Sequence, residues 1–582
     1  MHELLLEPLE FYEKWGRDEH KKNAEEHFDT LLARSGVDVA ENRATVKKYK
    51  SEMAAAESVR SSISKKKALR VLAIIGLIIA AIAAVATPFI ADDGSVIATV
   101  MLICAAVIAG CIIAIVKLGP AIKAADELLK KHEAEARRIY LQALAQMQPL
   151  NDLFDNTDTL HLISKTMPDF QFDNSFSVEN HALFEQKYDF LDMQGENSSV
   201  TDTISGRFMG NPFLYCQSLA HEMGTKTYIG TRVISWTETY RDSEGKLRTR
   251  TRTQTLTASV TKPYPEYRQR SYLCYGSQAA PDLSFDRTPK HTERLSEREI
   301  EKAVKRGEKR LKKKAKKALE SGGRFQEMSN SEFDVLFGAD NRDHEVQFRL
   351  MYTPLAQQNT VELMTSATGY GDDFHFNKRH RFNFISSEHA QSFSTDTSAS
   401  NYYSYDVDEA REKFVSFNCN YFKSIFFDFA PIFAVPAYLD EPSAALDAEC
   451  EYNSHYTYYE HEVMANAVGA AAFAHENTVT RSILNTEHLA KLDDGDLVAV
   501  TARSFTCIPR VDFVPTLGGD GRFHNVSVPW DEYIPLEWTR HMKISPAPVS
   551  EREIRAMKRD ESCEHEAYFH GMWARTVEQI NK

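Results

Sequence analysis

Two long apolar runs separated by only five residues constrain this chain more than any other feature. The runs extend from Val71 to Ile90 and from Val96 to Val116, and the residues between them are ADDGS. At about 1.5 Å per residue, each run forms a helix about 30 Å long, which matches the hydrocarbon core of a bilayer. The short connection is typical of a tight turn. The sequence therefore predicts a two-helix transmembrane hairpin whose ends lie on the same side.

The charges around the two runs predict which side that is. The turn contains Asp92 and Asp93, whereas cations flank the hairpin at both ends. These cations are Lys65, Lys66, Lys67, Arg70, Lys117 and Lys123. By the positive-inside rule, we expect a two-span protein of the cell membrane with both termini in the cytoplasm. Eight cysteines without a C-x-x-C pair are consistent with reduced thiols in the cytosol.

Small residues predict how the two spans pack. They recur every four residues and give each span a small face suited to close helix contact. In the first span they are Gly76, Ala80 and Ala84, and in the second they are Ala106, Gly110 and Ala114. We expect the two small faces to meet.

Apolar seams at heptad spacing continue on both sides of the hairpin. One includes Val39, Val46 and Met53, and the other lies on a helix expected to begin at Pro120 and end before Pro149. Because the hairpin makes these helices neighbours, the sequence predicts an antiparallel cytoplasmic stalk. In the alternative, each seam packs separately on the globular part.

From about residue 150 the pattern changes to the period of two that is typical of strands. The clearest case is TRVISWTETYRDSEGKLRTRTRTQTLTASV, which predicts a long β-hairpin with a turn at DSEG. One register places Arg250 opposite Glu238 and Arg252 opposite Trp236. The arginine face, which includes Arg248, is expected to be solvated and balanced by acids; the alternative is a phosphate- or RNA-binding face.

A strongly basic helix follows. The capping box of Ser296 and Glu299 opens it, and Gly322 and Gly323 close it. The segment Leu295–Glu320 has eleven Lys or Arg against five Glu, so it carries +6 in a chain that carries −14.

Three interpretations of this helix remain open: adsorption to an anionic membrane, nucleic-acid binding, and a solvated face that offsets an acidic body. We do not expect nucleic acid. Lipid contact requires a bend at Gly119 and Pro120, because a straight helix would hold the body about 40 Å from the membrane. The candidate anionic-lipid contacts are Lys309, Lys312, Lys313, Lys314, Lys316 and Lys317.

The remaining elements predict an α+β organisation. The stretch that begins at SEFDVLF indicates a short helix, a strand, a helix begun at Pro354 and a further strand. The apolar run YFKSIFFDFAPIFAVPAY contains Lys423, Asp428 and two prolines, so we expect core segments rather than a third span. The stretch RVDFVPTLGGDGRFHNVSVPW predicts a hairpin, and Ser550 with Glu553 predicts a last helix through HEAYFHGMW.

No complete catalytic or cofactor motif appears. His221-Glu222 and His461-Glu462 begin like H-E-x-x-H but lack the second histidine, and GGDG precedes no helix. Two clusters are dense enough to consider as metal ligands. They are Asp372, Asp373 and His375, and His455, Glu460 and His461. We assign no catalytic, cofactor-binding or metal residue and predict no cofactor.

These features divide the chain into eight expected segments. They are a cytoplasmic helical N-terminal region (1–64), the transmembrane hairpin (65–117), a cytoplasmic helix (118–149), a β-rich domain (150–290), the basic helix (291–325), an α+β unit (326–400), an α+β C-terminal region (401–545) and a C-terminal helix (546–582).

Two segments resemble an uncharacterised bacterial family of unknown function, which has paired N-terminal transmembrane helices and often accompanies LemA-type membrane proteins. The segment GRFMGNPF, with Gly206, Gly210, Pro212 and Phe213, is similar to a G-x-x-x-G-x-P-F pattern ahead of strands. The second segment, FDVLFGADNRDHEVQFRLMYTPLAQQNTVELM, is similar to a strand followed by a helix that Thr353 and Pro354 open. The resemblance covers about residues 68 to 384 and implies topology and fold rather than an activity.

We therefore expect an α+β protein with a two-helix transmembrane hairpin, flanking cytoplasmic helices and a large β-rich cytoplasmic region. The expected function is that of a membrane-anchored binding or scaffold protein, with anionic lipid or a membrane-protein partner as ligand. The alternative is a membrane-tethered enzyme with an unrecognised active site.

Overall fold

The computed structural model describes residues 5–90, 94–190, 195–241, 243–440, 452–547, 566–569 and 571–577. It is a mixed α+β structure with two long apolar helices and antiparallel sheets, which confirms the predicted class. The chain forms two compact units. One comprises residues 24–158 and 397–418, and the other comprises residues 1–23, 159–396 and 419–582.

Two long helices dominate the first of these units. Helix α3 is Val39–Ile90 and helix α4 is Gly94–Asn151. They run antiparallel and in contact, because successive residues of α3 contact successively earlier residues of α4. Glu41 pairs with Gln146, Glu52 pairs with His132, and Ile63 packs against Ile122. The packing of the flanking helices against each other is as predicted, whereas the side of a membrane on which they lie stays a prediction.

Helix α4 continues through both of its prolines. The expectation that a helix begins at Pro120 and ends before Pro149 is therefore wrong. An interior proline costs about 3 kcal/mol, but packing compensates for it here, because Ile122 and Ala125 are buried against Ile63 of α3. The expected segment boundaries at 64/65 and 117/118 accordingly fall inside continuous helices, and the expected turn residues Asp92 and Asp93 lie outside the described residues.

The seam between the two spans uses only one of the two predicted small faces. Ala80 is buried, and a side chain at Gly76 would contact Cys111. Ala106 and Gly110 instead face outward. The residues of α4 that contact α3 lie at heptad spacing. This row runs from Ala125 into the second apolar segment and determines which face of α4 packs against α3. Its other members are Leu118, Cys111 and Cys104.

Aromatic and amide side chains complete this unit. Asn42 of α3 donates to the carbonyl of Tyr405, and Asn151 of α4 donates to that of Ser404. Tyr405 also packs against Tyr49 and Tyr140, one from each long helix. The segment 397–418 is thereby fixed on both helices.

The other unit contains two antiparallel sheets. Sheet A has the order β1-β2-β3-β4-β7-β6-β5, and sheet B has the order β11-β12-β10-β9-β8. The strands of sheet A are β1 (Phe170–Phe172), β2 (Ser198–Phe208), β3 (Asn211–Arg241), β4 (Leu247–Gly276), β5 (Ser284–Arg287), β6 (Phe374–Arg379) and β7 (Phe382–Ser387). Those of sheet B are β8 (Ile483–Leu492), β9 (Gly495–Leu517), β10 (Phe523–Pro546), β11 (Glu566–Phe569) and β12 (Met572–Val577). Sheet A thus joins strands from the expected 150–290 and 326–400 segments.

Helices accompany these sheets. The remaining α-helices of the described chain are α1 (Pro8–Phe11), α2 (Arg17–Ser35), α5 (Asp158–Thr166), α6 (Val178–Tyr188), α7 (Glu297–Glu320), α8 (Ser331–Phe337), α9 (Glu345–Met351), α10 (Pro354–Thr365), α11 (Val407–Phe433), α12 (Tyr458–Val468) and α13 (Ala470–Phe473). The apolar run from Tyr421 to Phe433 is the buried end of α11, so the expectation of a core segment is confirmed.

Two predicted elements are wrong. The predicted strand before Pro354 is helix α9, which His344 caps by accepting from the amide of Gln347. The predicted helix through HEAYFHGMW is instead the paired strands β11 and β12 of sheet B, whose alternate residues Met572 and Ala574 are buried in one core with Met464 of α12. Strand pairing with β10 is more favourable in this segment than the helix that local propensity predicts. The predicted cap residues of that helix, Ser550 and Glu553, lie outside the described residues.

Two long hairpins, β3–β4 and β9–β10, pack face to face, and we call them the paired hairpins. The predicted register is confirmed: Glu238 lies opposite Arg250, and Trp236 lies opposite Arg252. The hairpins share a small core of five buried residues, which are Ile234, Leu256, Ala258, Val526 and Val528. Gly230 permits their close approach, because a Cβ atom there would collide with the carbonyl oxygen of Ser527.

The substitution Gly230→Ala is expected to destabilise the paired hairpins by about 1–3 kcal/mol, since backbone atoms of β10 must move to accommodate the methyl group. Thermal unfolding of the full chain in detergent, followed by tryptophan fluorescence, measures this, because Trp236 and Trp530 lie in the two hairpins. The matched control is Gly119→Ala, where the added methyl group meets nothing within 4 Å. Equal unfolding temperatures for Gly230→Ala and the wild type would contradict the close approach.

Candidate functional site

The outward faces of the two spans are the largest exposed apolar surface of the helical unit. Two helices of the described chain are long and apolar enough to cross a membrane. Their outward residues include Leu72, which is 64% exposed, and Leu102, which is 74% exposed. Only 6% of each apolar window is buried. A soluble core helix would bury most of such a window, so the exposed surface suits a lipid environment.

The basic helix α7 forms as predicted. The capping box of Ser296 and Glu299 is present, and Gly322 adopts a positive φ of 74° just after the helix ends. Leu311 is its only buried residue within the described helix. The apolar stripe of α7 therefore packs on the rest of the protein mainly through Leu311, while most of the helix faces solvent.

The candidate lipid contacts on α7 are not equivalent. Lys314 lies over the ring of Phe325 and pairs with Asp340 at 3.7 Å, so it stabilises the attachment of α7. The other five lysines are exposed, namely Lys309, Lys312, Lys313, Lys316 and Lys317. These five are the cations that remain available to an anionic surface.

A groove of about 490 Å³ lies beside α7. Lys312 and Arg349 line it, but so do Glu308, Glu327 and Asp334. Glu308 accepts a hydrogen bond from Ser331 and Asp334 pairs with Arg342, so the acids are part of the local structure. This mixed lining does not suit an anion, and the exposed row of lysines is the better contact surface.

The first candidate metal cluster does not assemble. Asp372 is fully buried and pairs with Arg287, whereas Asp373 accepts from His389. His375 is exposed on the other face of β6. The three side chains therefore point to three different places, because Asp372 and Asp373 precede β6 and only His375 lies on the strand.

The second cluster also separates. His461 pairs with Asp496 at 3.0 Å, whereas the ring of His455 contacts the carbonyl of Leu492. Glu460 accepts from the amide of Phe176. Asp496 also accepts from the backbone amides of His455 and Tyr456, and the bond with His461 together with these bonds holds its pKa below the ordinary value despite burial. Within the described residues no group of three or more His, Cys, Asp or Glu side chains is placed to hold a metal ion.

A buried His–Asp centre is the feature that the sequence did not indicate. His389 Nδ1 lies 2.7 Å from Asp373, and its Nε2 lies 3.5 Å from Asp428. Tyr215 donates to the second carboxylate, and the ring of Tyr370 stacks on the imidazole at 3.7 Å. We call these five residues the His389 centre. Only the fold reveals it, because Asp373 lies 16 residues before His389 and Asp428 lies on α11.

Burial and charge set the ionisation of this centre. Burial alone would lower the pKa of His389, but the charges of Asp428 and Asp373 outweigh it and raise the pKa above the ordinary value. Burial also raises the pKa of Asp428. The arrangement favours an imidazolium held between two carboxylates. It joins the segments just before β6 and just after β7 to α11 and β3, so its role in the fold is to fasten a helix to sheet A.

Two glutamates of α12 bind the free edge of β2 in a related way. Glu462 accepts from the amide of Val200, and Glu460 accepts from Thr203. Asn485 of β8 also donates to Glu462, which links sheets A and B. Burial raises the pKa of Glu462 to about 7.

Lys378 is a buried cation whose contacts are neutral groups. Its Nζ donates to the carbonyls of Ala279 and His380 and lies 5.7 Å from the ring centre of Tyr438. Burial lowers the pKa of Lys378 to about 7. The side chain fastens the loop between β4 and β5 to β6 and is fully buried, so it cannot reach a substrate.

No protein-family model, curated protein sequence or solved structure matches this chain.

His389→Gln is expected to lower the free energy of unfolding by about 3 kcal/mol at pH 6, because it leaves two buried carboxylates without their cation. The loss shrinks as the pH rises from the ordinary histidine value through the raised pKa of His389, because the imidazole of the folded wild type then gives up its charge and with it the ion pairs. Chemical unfolding of the full chain at pH 6 and pH 9 measures the difference. The control, His375→Gln, changes an exposed histidine and should have little effect at either pH. An equal loss for His389→Gln at both values would contradict the charged centre.

Proposed function

We propose that this chain is an integral membrane protein that works by binding, as a scaffold or adaptor at the inner face of a bacterial-type plasma membrane. The helices α3 and α4 anchor it, with both termini in the cytoplasm. The observation that carries the proposal is the outward apolar surface of the two spans.

The position of the charges supports the orientation. Cations flank the hairpin at both ends, and the connection between the spans is acidic. The resemblance to a family with paired N-terminal transmembrane helices agrees with this topology. The protein partner of such a scaffold would be a membrane protein or a protein recruited to the membrane.

The basic helix α7 supports a second contact with the membrane, which requires the continuous helix α4 to bend at Gly119 and Pro120. Its five exposed lysines face solvent in a chain whose net charge is −14, so an anionic surface attracts this helix while it repels the rest. Each cation near such a surface contributes about 1 kcal/mol, less as salt increases. The contact is electrostatic, because α7 offers little apolar surface for insertion.

Ser95→Cys in the full chain should react with an impermeant thiol reagent added to intact cells, because the proposed topology places the connection between the spans outside the cell. Ser321→Cys, exposed at the end of α7, should react only after the cells are opened. Cys274 cannot serve as the internal reporter, because it is fully buried. Labelling of Ser321→Cys in intact cells, with Ser95→Cys silent, would reverse the orientation.

Substitution of the five exposed lysines of α7 by Gln should abolish the preference of this helix for anionic lipid. In nanodiscs with anionic lipid, the backbone amides of α7 in the unmodified full chain should exchange hydrogen several-fold more slowly than in neutral nanodiscs. In the Lys→Gln variant the two rates should agree.

The matched control removes five exposed cations from other helices, namely Lys21, Lys47, Lys48, Lys130 and Lys131. It should keep the difference between the two lipids. Equal exchange of α7 in neutral and anionic nanodiscs at low salt, for the unmodified chain, would contradict lipid contact.

A further inference from the structure

The outward faces of the paired hairpins are almost free of charge. On β3–β4 the outward face is mostly threonine and serine, which includes Thr237 opposite Thr251 and Thr231 opposite Thr257, with the exposed Ile229 and Val233 set singly among them. On β9–β10 the outward face is apolar instead. The charged residues of the hairpins lie mostly on the inner faces, as Lys262 and Asp512 do in their ion pair.

The apolar face is continuous along the β9–β10 hairpin. Four successive cross-strand pairs form it: Val511 with Pro529, Phe513 with Ser527, Pro515 with Asn525, and Leu517 with Phe523. None of the eight side chains is charged. Phe513 is 67% exposed and Phe523 is 72% exposed. A contiguous exposed apolar patch of this kind marks an interaction site.

Prolines prevent another chain from pairing with the strand edges of the β9–β10 hairpin. Beyond the part of β9 that pairs with β8, β9 contains Pro509 and Pro515, and the exposed part of β10 contains Pro529 and Pro535. A proline cannot donate to a further strand, so another chain cannot extend the sheet there. Because edge pairing is excluded, another chain can bind this hairpin through its exposed apolar face.

We propose that this apolar face is the contact between two copies of the chain. An isologous contact places the same patch on both partners, and an uncharged patch meets itself without repulsion. Two copies that each carry −14 repel each other over most of their surface, so this patch is where they approach most easily. The threonine face is a poorer choice, because burial of its hydroxyls without partners costs free energy.

The size of the face fits a weak dimer. An aromatic side chain offers about 150–250 Å² for burial, so the two phenylalanines present on the order of 250 Å² per copy. With their apolar neighbours they approach the lower end of specific interfaces, about 600 Å² per partner. Such an interface is sufficient when both copies are confined to one membrane, which raises their effective concentration. This last step rests on the proposed membrane anchoring.

The test uses Ser527→Cys, which lies at the centre of the face opposite Phe513. The full chain is expressed in membranes with its other cysteines replaced, except the buried Cys216 and Cys274. Facing sheets lie about 10 Å apart, so a short bismaleimide can join the two copies. We expect a cross-linked dimer of the chain, and at least a tenfold loss of it when Phe513 and Phe523 are both changed to Ser.

Three controls make the outcome decisive. Thr255→Cys, on the threonine face, should give no dimer, and Leu247→Ser, a loss of an equally exposed apolar residue from β4, should leave the Ser527→Cys dimer unchanged. The double Phe→Ser variant should keep its unfolding temperature, because both rings are exposed.

Monomer only in the membrane fraction, a product of different mass, or equal cross-linking from Thr255→Cys would overturn the proposal. Chain in the soluble fraction would instead contradict the membrane anchoring.

Discussion

The seam between α3 and α4 is the constraint on which the helical unit depends. A single heptad row holds the two helices together from Ala125 in the stalk to Cys104 in the second span. Because this row uses one face of each helix, the opposite faces of both spans must point outward. More than a dozen large apolar residues within the spans are exposed as a result. In water each would forgo about 1.5–3 kcal/mol of burial, and together they exceed the 5–15 kcal/mol by which proteins are stable.

Buried ionisable groups serve the fold in the other unit. The His389 centre fastens α11 to sheet A, and Glu460 and Glu462 supply acceptors that strand β2 lacks along its free edge. Arg342 similarly pairs with Asp334 and Glu345 beneath α7. These groups have perturbed surroundings of the kind that active sites show, but each is satisfied by neighbours within the chain. The exposed surfaces, rather than these centres, therefore carry the proposed binding function.

Local signals allowed some of the structure to be predicted. Periodicity and caps predicted the two long apolar helices, helix α7, helix α10 after Pro354 and the register of Trp236 with Arg252. The errors arose where long-range packing outweighed local preference. Pro120 lies within a helix because packing against α3 supports it, and the last aromatic segment is a hairpin because sheet B offers it an edge. The His389 centre was invisible, since its members come from distant parts of the sequence.

The central claim is that a bilayer covers the outward faces of α3 and α4, and extraction of membranes at alkaline pH tests it most directly. The account predicts that the full chain stays in the membrane pellet. It also predicts that Ile79→Arg with Leu102→Arg, which places on each exposed face a charge that persists at alkaline pH, releases the chain, whereas Gly119→Ala does not. Recovery of the unmodified chain in the supernatant would contradict the account.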